Sequence, residues 1–144
     1  MAVRFARNAE RVGRVSPVVI GDGEDLPFAT GSFDAVVSTL VLCSVREIGA
    51  VLLEVRRVLR PATDHRPGGT FHFFEHVASD RPRMLRFQRW LNPAWSTLAD
   101  GCQLDREIGL EIRRAGFGSV EFNEVSMPIG PPFTRRCILG HATR

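Results

Sequence analysis

The sequence predicts an α/β domain on a mostly parallel sheet. Three observations carry that reading. Short apolar runs of strand length alternate with stretches whose apolar residues recur at helical spacing. The run from Phe33 to Leu42 is apolar on both alternating faces after its start, which suits a parallel strand covered by helices on each side. Two strand-like segments close the chain, and no internal repeat or long linker divides it, so the 144 residues read as a single domain.

Taken in order, Met1 to about Val12 has helix-compatible spacing, with Val3, Phe5 and Ala6 apolar against Arg4, Arg7 and Arg11. Pro17 to Ile20 is a short strand candidate, followed by the glycine-flanked acidic stretch Gly21-Asp22-Gly23-Glu24-Asp25. The Phe33–Leu42 strand comes next. Between Val45 and Leu59 the apolar residues Ile48, Val51, Leu52, Val55, Val58 and Leu59 define an amphipathic helix, with Arg46, Glu47, Glu54, Arg56 and Arg57 pointing away. Pro61 stops it, and Gly68-Gly69 turns the chain into a strand from Thr70 to Val77. Arg83 to Leu98 reads as a helix interrupted at Pro93, with Trp90 and Trp95 in the core or as pocket walls. Asp105 to Ala115 is a shorter helix, capped by Asp105 and closed by Gly116. Strands are expected over Val120–Val125 and, after the breaker Gly130-Pro131-Pro132, over Phe133–Ala142.

Composition narrows the function classes. Hydrophobic residues make up 44% and charged residues 24%, which is the balance of a soluble globular domain. No apolar run approaches the roughly 18 residues needed to cross a bilayer, and the amino-terminal stretch has no signal-peptide character. All 19 basic residues are arginine, and they are scattered. The net charge of +3 therefore gives no footprint for nucleic acid. Cys43, Cys102 and Cys137 are widely spaced and form no CxxC pair, which points to free thiols in a reducing, cytoplasmic setting and to no metal site.

Ligands of open α/β sheets bind beyond the carboxyl ends of the strands. Three such ends offer candidates: Asp22-Gly23, the stretch Thr39 to Ser44, and Glu75-His76. A carboxylate between glycines with accessible amides suits an adenine edge, and it equally suits a turn in which Asp22 caps its own amides. Asp100 reads as a helix-end turn. Arg81, Arg83, Arg86 and Arg89, alternating with Met84, Phe87, Trp90 and Leu91, read as the solvated side of a helix whose apolar stripe lies in the core.

Together the segments "GDGEDLPFATGSFDAVVSTLVLCSV", "EVRRVLRP" and "PGGTFHFFEHV" resemble the class I S-adenosylmethionine-dependent methyltransferases, in the ubiquinone/menaquinone methyltransferase-like group called methyltransferase type 11. With "FEHV" before it, "LNPAWSTLADGCQL" is similar to the thiol methyltransferase-like members. The resemblance runs from about Val18 to the carboxyl terminus. It implies a partial Rossmann-like sheet with an antiparallel C-terminal strand and helices on both faces. It implies S-adenosyl-L-methionine as cofactor, with Asp22 at the adenine amine, Gly23 and Glu24 offering backbone to the ring, and Thr39, Leu40 and Val41 flanking the methionine part. Glu75 and His76 would line the acceptor pocket as catalytic candidates. The acceptor is a small or lipophilic molecule: a thiol, a quinone precursor or an amine.

Two features depart from the family pattern. No GxGxG occurs, nor the acid expected after the second strand, so the chain is expected to be the truncated C-terminal portion of the domain, with its first two strands absent and cofactor binding weak. Exposed strand edges would then invite a partner chain or a dimer. The six residues Ala62 to Pro67 also look inserted, as a surface bulge. The rival reading is a non-catalytic module of the same fold acting through a partner.

Overall fold

In the computed structural model, residues 17–144 are described. The helix expected over Met1–Val12 lies outside them. The described chain forms strands β1 (Ala35–Thr39), β2 (Thr70–His76), β3 (Ser119–Ser126) and β4 (Arg136–Thr143), with helices α1 (Ile48–Val58), α2 (Pro82–Leu98) and α3 (Ile108–Arg114). The sheet order is β1-β2-β4-β3. β1 pairs parallel with β2, and β4 runs antiparallel to both β2 and β3, so three of the four strands point one way and the C-terminal strand opposes them.

One face of the sheet carries the core. Phe71 and Phe73 of β2 and Ile138 and Ala142 of β4 are buried against Val51, Leu52 and Val55 of α1 and against Ile108 and Ile112 of α3. The spacing 51, 52, 55, 58 places the apolar side of α1 on the sheet, and each such side chain contributes roughly 1.5–3 kcal/mol by leaving water. The opposite face is covered at its carboxyl end. There His76 is buried beside Phe133, whose ring packs on Phe87 and Trp95 of α2 at 5.7 and 5.1 Å.

Several elements differ from the sequence reading. Val18-Val19-Ile20 forms no strand and Ile20 is 91% exposed, because no strand among the described residues lies beside it to take its backbone hydrogen bonds. The apolar run of β1 is buried on one side only, and Val37 on the other side is 72% exposed. β1 stops at Thr39 because Leu40 turns to φ 55°, which carries Leu42 and Cys43 into the core. α2 passes through Pro93 unbroken. Of the stripe expected in the core, Trp90 is 75% and Phe87 41% exposed while Met84 and Leu91 are half-buried, because the residue of α2 turned fully inward is Gln88. Asp105 does not cap α3, which begins at Glu107; its carboxylate accepts Asn92 Nδ2 at 2.9 Å instead. Phe133 lies in a short 3-10 turn (Pro132–Thr134) before β4.

The Ala62–Pro67 stretch is an exposed turn closed by two backbone bonds between Thr63 and Arg66. Gly68 beyond it is required by contact: a Cβ there would lie 1.9 Å from the Arg144 carbonyl oxygen.

Candidate functional site

The acidic stretch is a tight turn laid against the start of α1. Asp25 N donates to Asp22 O at 3.1 Å, and Glu24 N donates to Asp22 Oδ1 at 3.0 Å, so the Asp22 carboxylate does cap its own turn. Its Oδ2 lies 3.6 Å from Arg46 Nη2, and the side chain remains 59% exposed. Glu24 reaches the same guanidinium at 3.3 Å and accepts Glu47 N at 3.2 Å. A Cβ on Gly23 would touch Val51 Cγ2 at 3.4 Å. Arg46 and Glu47 immediately precede α1, which starts from the carboxyl end of β1, so the turn sits at that end.

Farther along, Glu54 accepts Leu26 N at 2.8 Å, and Arg57 donates to Leu26 O and Phe28 O at 2.9 and 2.8 Å. These two α1 residues face the loop rather than open solvent. The Arg57 guanidinium holds the Glu54 carboxyl below the usual carboxylate range; partial burial opposes this and the Leu26 amide assists it.

The end of β1 is shaped from the next strand. Leu40 N donates to Phe74 O at 2.8 Å. Glu75, wholly buried, accepts Ser38 Oγ at 2.5 Å, Val41 N at 3.1 Å and Leu42 N at 3.0 Å. Burial pushes the Glu75 carboxyl upward against the pull of these donors. Both carboxylate oxygens are therefore engaged with the turn beneath Leu40, leaving Thr39, Leu40 and Val41 exposed above it.

His76 points to the other face, as strand alternation requires. Its Nε2 lies 3.4 Å from Phe133 O. Nδ1 is buried without a hydrogen-bond partner, as is Trp95 Nε1. Both lie toward Cys102. The facing Cys43 thiol is the main influence drawing the Cys102 thiol down, with His76 and Trp95 adding to it; Cys43 is correspondingly pushed up.

The structure thus sets Thr39, Leu40 and Val41 at the carboxyl end of β1, joins Glu75 to that turn from below, and lays Asp22, Gly23 and Glu24 against the start of α1. It separates His76, which lies under Phe133. Sequence reasoning missed Ser38, Arg46, Glu54 and Arg57, whose contacts span 22 to 37 residues and leave no periodic signal. No cluster of three metal-ligating side chains occurs among the described residues.

Comparison with known proteins bears on the family and the fold. A family model described as "Methyltransferase domain" matches residues 1–63. The chain is 41% identical over 128 residues to the thiol S-methyltransferase TMT1A of Homo sapiens, covering 88% of this chain and 50% of that protein. It spans about half the length of the curated relatives it matches. Among solved structures, a SAM-dependent methyltransferase of Thermotoga maritima aligns with TM-score 0.64 at 18% identity, over 98% of this chain and 70% of that one. The [4+2]-cyclase SpnF aligns with TM-score 0.66 at 18% identity, over 99% and 61%. These likenesses show the fold, and SpnF illustrates that one fold hosts more than one chemistry.

Proposed function

We infer that this chain, which belongs to the class I S-adenosylmethionine-dependent methyltransferases, serves methyl transfer from S-adenosyl-L-methionine to the sulfur of a small thiol. The observation that carries this reading is the seating of the Asp22 turn on Arg46, at the start of the helix that follows the Leu40 turn, within a stretch 41% identical to a thiol S-methyltransferase.

The residues present fit the adenosyl end of that cofactor. The Asp22 carboxylate keeps an exposed oxygen able to accept an exocyclic amine, and the exposed apolar Leu40 and Val41 suit the body of a ligand crossing the strand end. Gly23 and Glu24 contribute backbone toward the ring, and Thr39 flanks the methionine portion. When bound, the cofactor supplies an electrophilic methyl carbon. The chain's own task is to hold the acceptor in line with that carbon and to accept its proton.

Of the two acid–base candidates, Glu75 has both oxygens engaged, so we give it the positioning of the Leu40 turn. His76 keeps one nitrogen without a hydrogen-bond partner, buried on the Cys102 side of β2, and we give it the proton of an acceptor that enters from that side. With the cofactor bound, Nδ1 would take the thiol proton while the sulfur lone pair forms the bond to the methyl carbon and the methyl–sulfonium bond breaks, giving a thioether product and S-adenosylhomocysteine. The free thiols of Cys43, Cys102 and Cys137 support a reducing, cytoplasmic setting, and no helix among the described residues is long and apolar enough to cross a membrane.

The test is methyl transfer from labelled S-adenosylmethionine across thiol, amine and phenol acceptors, with products identified by mass. Thioether formation alone supports the reading. Transfer to amines or phenols in its place overturns it.

A second reading has one observation in its favour. β1 has a strand neighbour on only one side among the described residues, and its Val37 is exposed. A module that pairs with another chain along β1 accounts for both. Sedimentation showing a dimer that Val37→Lys dissolves would favour it.

A further inference from the structure

A cleft of about 460 Å³ opens beyond the carboxyl end of β2, between the start of α2 and the β3–β4 hairpin. Its volume is that of a small-molecule site. Three arginines reach it, and their circumstances differ. Arg136 is already neutralised. Its guanidinium grips the Glu124 carboxylate through Nη2 and through Nε at 3.2 Å, donates to Ala78 O, and lies 3.9 Å from Asp80. That single arginine draws both acids of the cleft to itself.

Arg81 and Arg135 pair with no carboxylate among the described residues. Arg135 directs Nε to Gly130 O at 2.9 Å, which fixes the side chain and leaves both terminal nitrogens as donors. Between the charges lie Met84, Val125 and Pro132, an apolar lining. The walls are rigid. Gln88, almost fully buried, accepts Ser79 N at 2.8 Å and donates to Phe133 O at 2.8 Å, tying the β2–α2 loop to the turn before β4.

We propose that this cleft binds the carboxylate of the methyl acceptor, with Arg81 and Arg135 as its donors, so that the preferred thiols are those carrying a carboxylate on an apolar body. This deepens the thiol reading and rests on it. Two guanidiniums without counter-ions, held beside an apolar surface, favour an organic anion over a neutral ligand of equal shape, since charge-assisted bonds are the stronger ones. The cleft also adjoins the strand end that carries His76: Val77 N donates to Arg136 O at 3.0 Å, which places a cleft residue directly beside the residue following His76.

The test titrates the purified chain with 4-(mercaptomethyl)benzoate and with its uncharged amide, following backbone amide signals of Ser79, Asp80 and Arg81 by NMR. The carboxylate is expected to bind about tenfold or more tightly than the amide, in keeping with a hydrogen bond to a charged group. Arg135→Gln and Arg81→Gln should each collapse that preference, and Arg135→Lys should keep part of it. Equal binding of the two thiols overturns the proposal, as does a preference that survives both glutamine substitutions. Binding needs no turnover, so the two failures separate. Absence of thioether from any thiol sinks the thiol reading, while equal binding sinks only the carboxylate site.

Discussion

Glu75 Oε2 accepts the backbone amide of Leu42 at 3.0 Å, so a side chain of β2 dictates the path of the turn that leaves β1. The other oxygen takes Val41 N and Ser38 Oγ. An amide in place of this carboxylate turns two donors toward donors. Glu75→Gln is therefore expected to lower stability by about 1–3 kcal/mol in urea unfolding, and Glu75→Leu by at least as much.

The same residue gives a pH signature. Its folded pKa is raised by burial above the unfolded value of 4.5, so its contribution is fully present below that value and is lost as pH rises through the folded pKa. Melting temperatures of the native chain minus those of Glu75→Gln should fall as pH is raised from about 4.5. A difference that grows with pH would contradict the assignment.

Glu54 has the opposite sign. Its folded pKa is lowered, chiefly by Arg57, so its contribution is present above the unfolded value of 4.5 and disappears as pH falls through the folded one. The Leu26 amide, which donates to Glu54, should lose hydrogen-exchange protection over that acid range before the α1 amides do. In Glu54→Gln the acid dependence should vanish.

Leu40 holds φ 55°, a conformation that costs a side chain roughly 1–2 kcal/mol. Leu40→Gly should raise the melting temperature, offset in part by lost apolar contact and chain entropy. If the turn positions the cofactor, the same change should weaken S-adenosylmethionine binding in calorimetry.

His76→Asn removes the proposed proton acceptor while keeping a polar side chain. We expect kcat to fall about 10²–10⁴-fold for thiols of ordinary acidity. The deficit should narrow as pH is raised through the acceptor's own pKa, because a preformed thiolate needs no base. A purely structural role would give a deficit indifferent to pH.

Much of this chain is legible along its length. The apolar periodicity of α1, the strand of phenylalanines at β2, the glycine pair before it and the Gly116 stop follow from local sterics and from the need to bury one face. The motif order from Asp22 to Glu75 sufficed to point to the family. What sequence alone left undecided depends on partners distant in the chain. Glu75 reads as a catalytic candidate, and only the folded chain shows three donors from β1 and its turn on its carboxylate. Trp90 reads as core or pocket wall until a buried glutamine claims the inner side of α2. Val18 to Ile20 read as a strand, yet a strand exists only where a neighbour accepts its hydrogen bonds. Periodicity encodes which face is apolar; which face is covered, and which polar atom remains free, is decided by contacts that only the folded chain brings together.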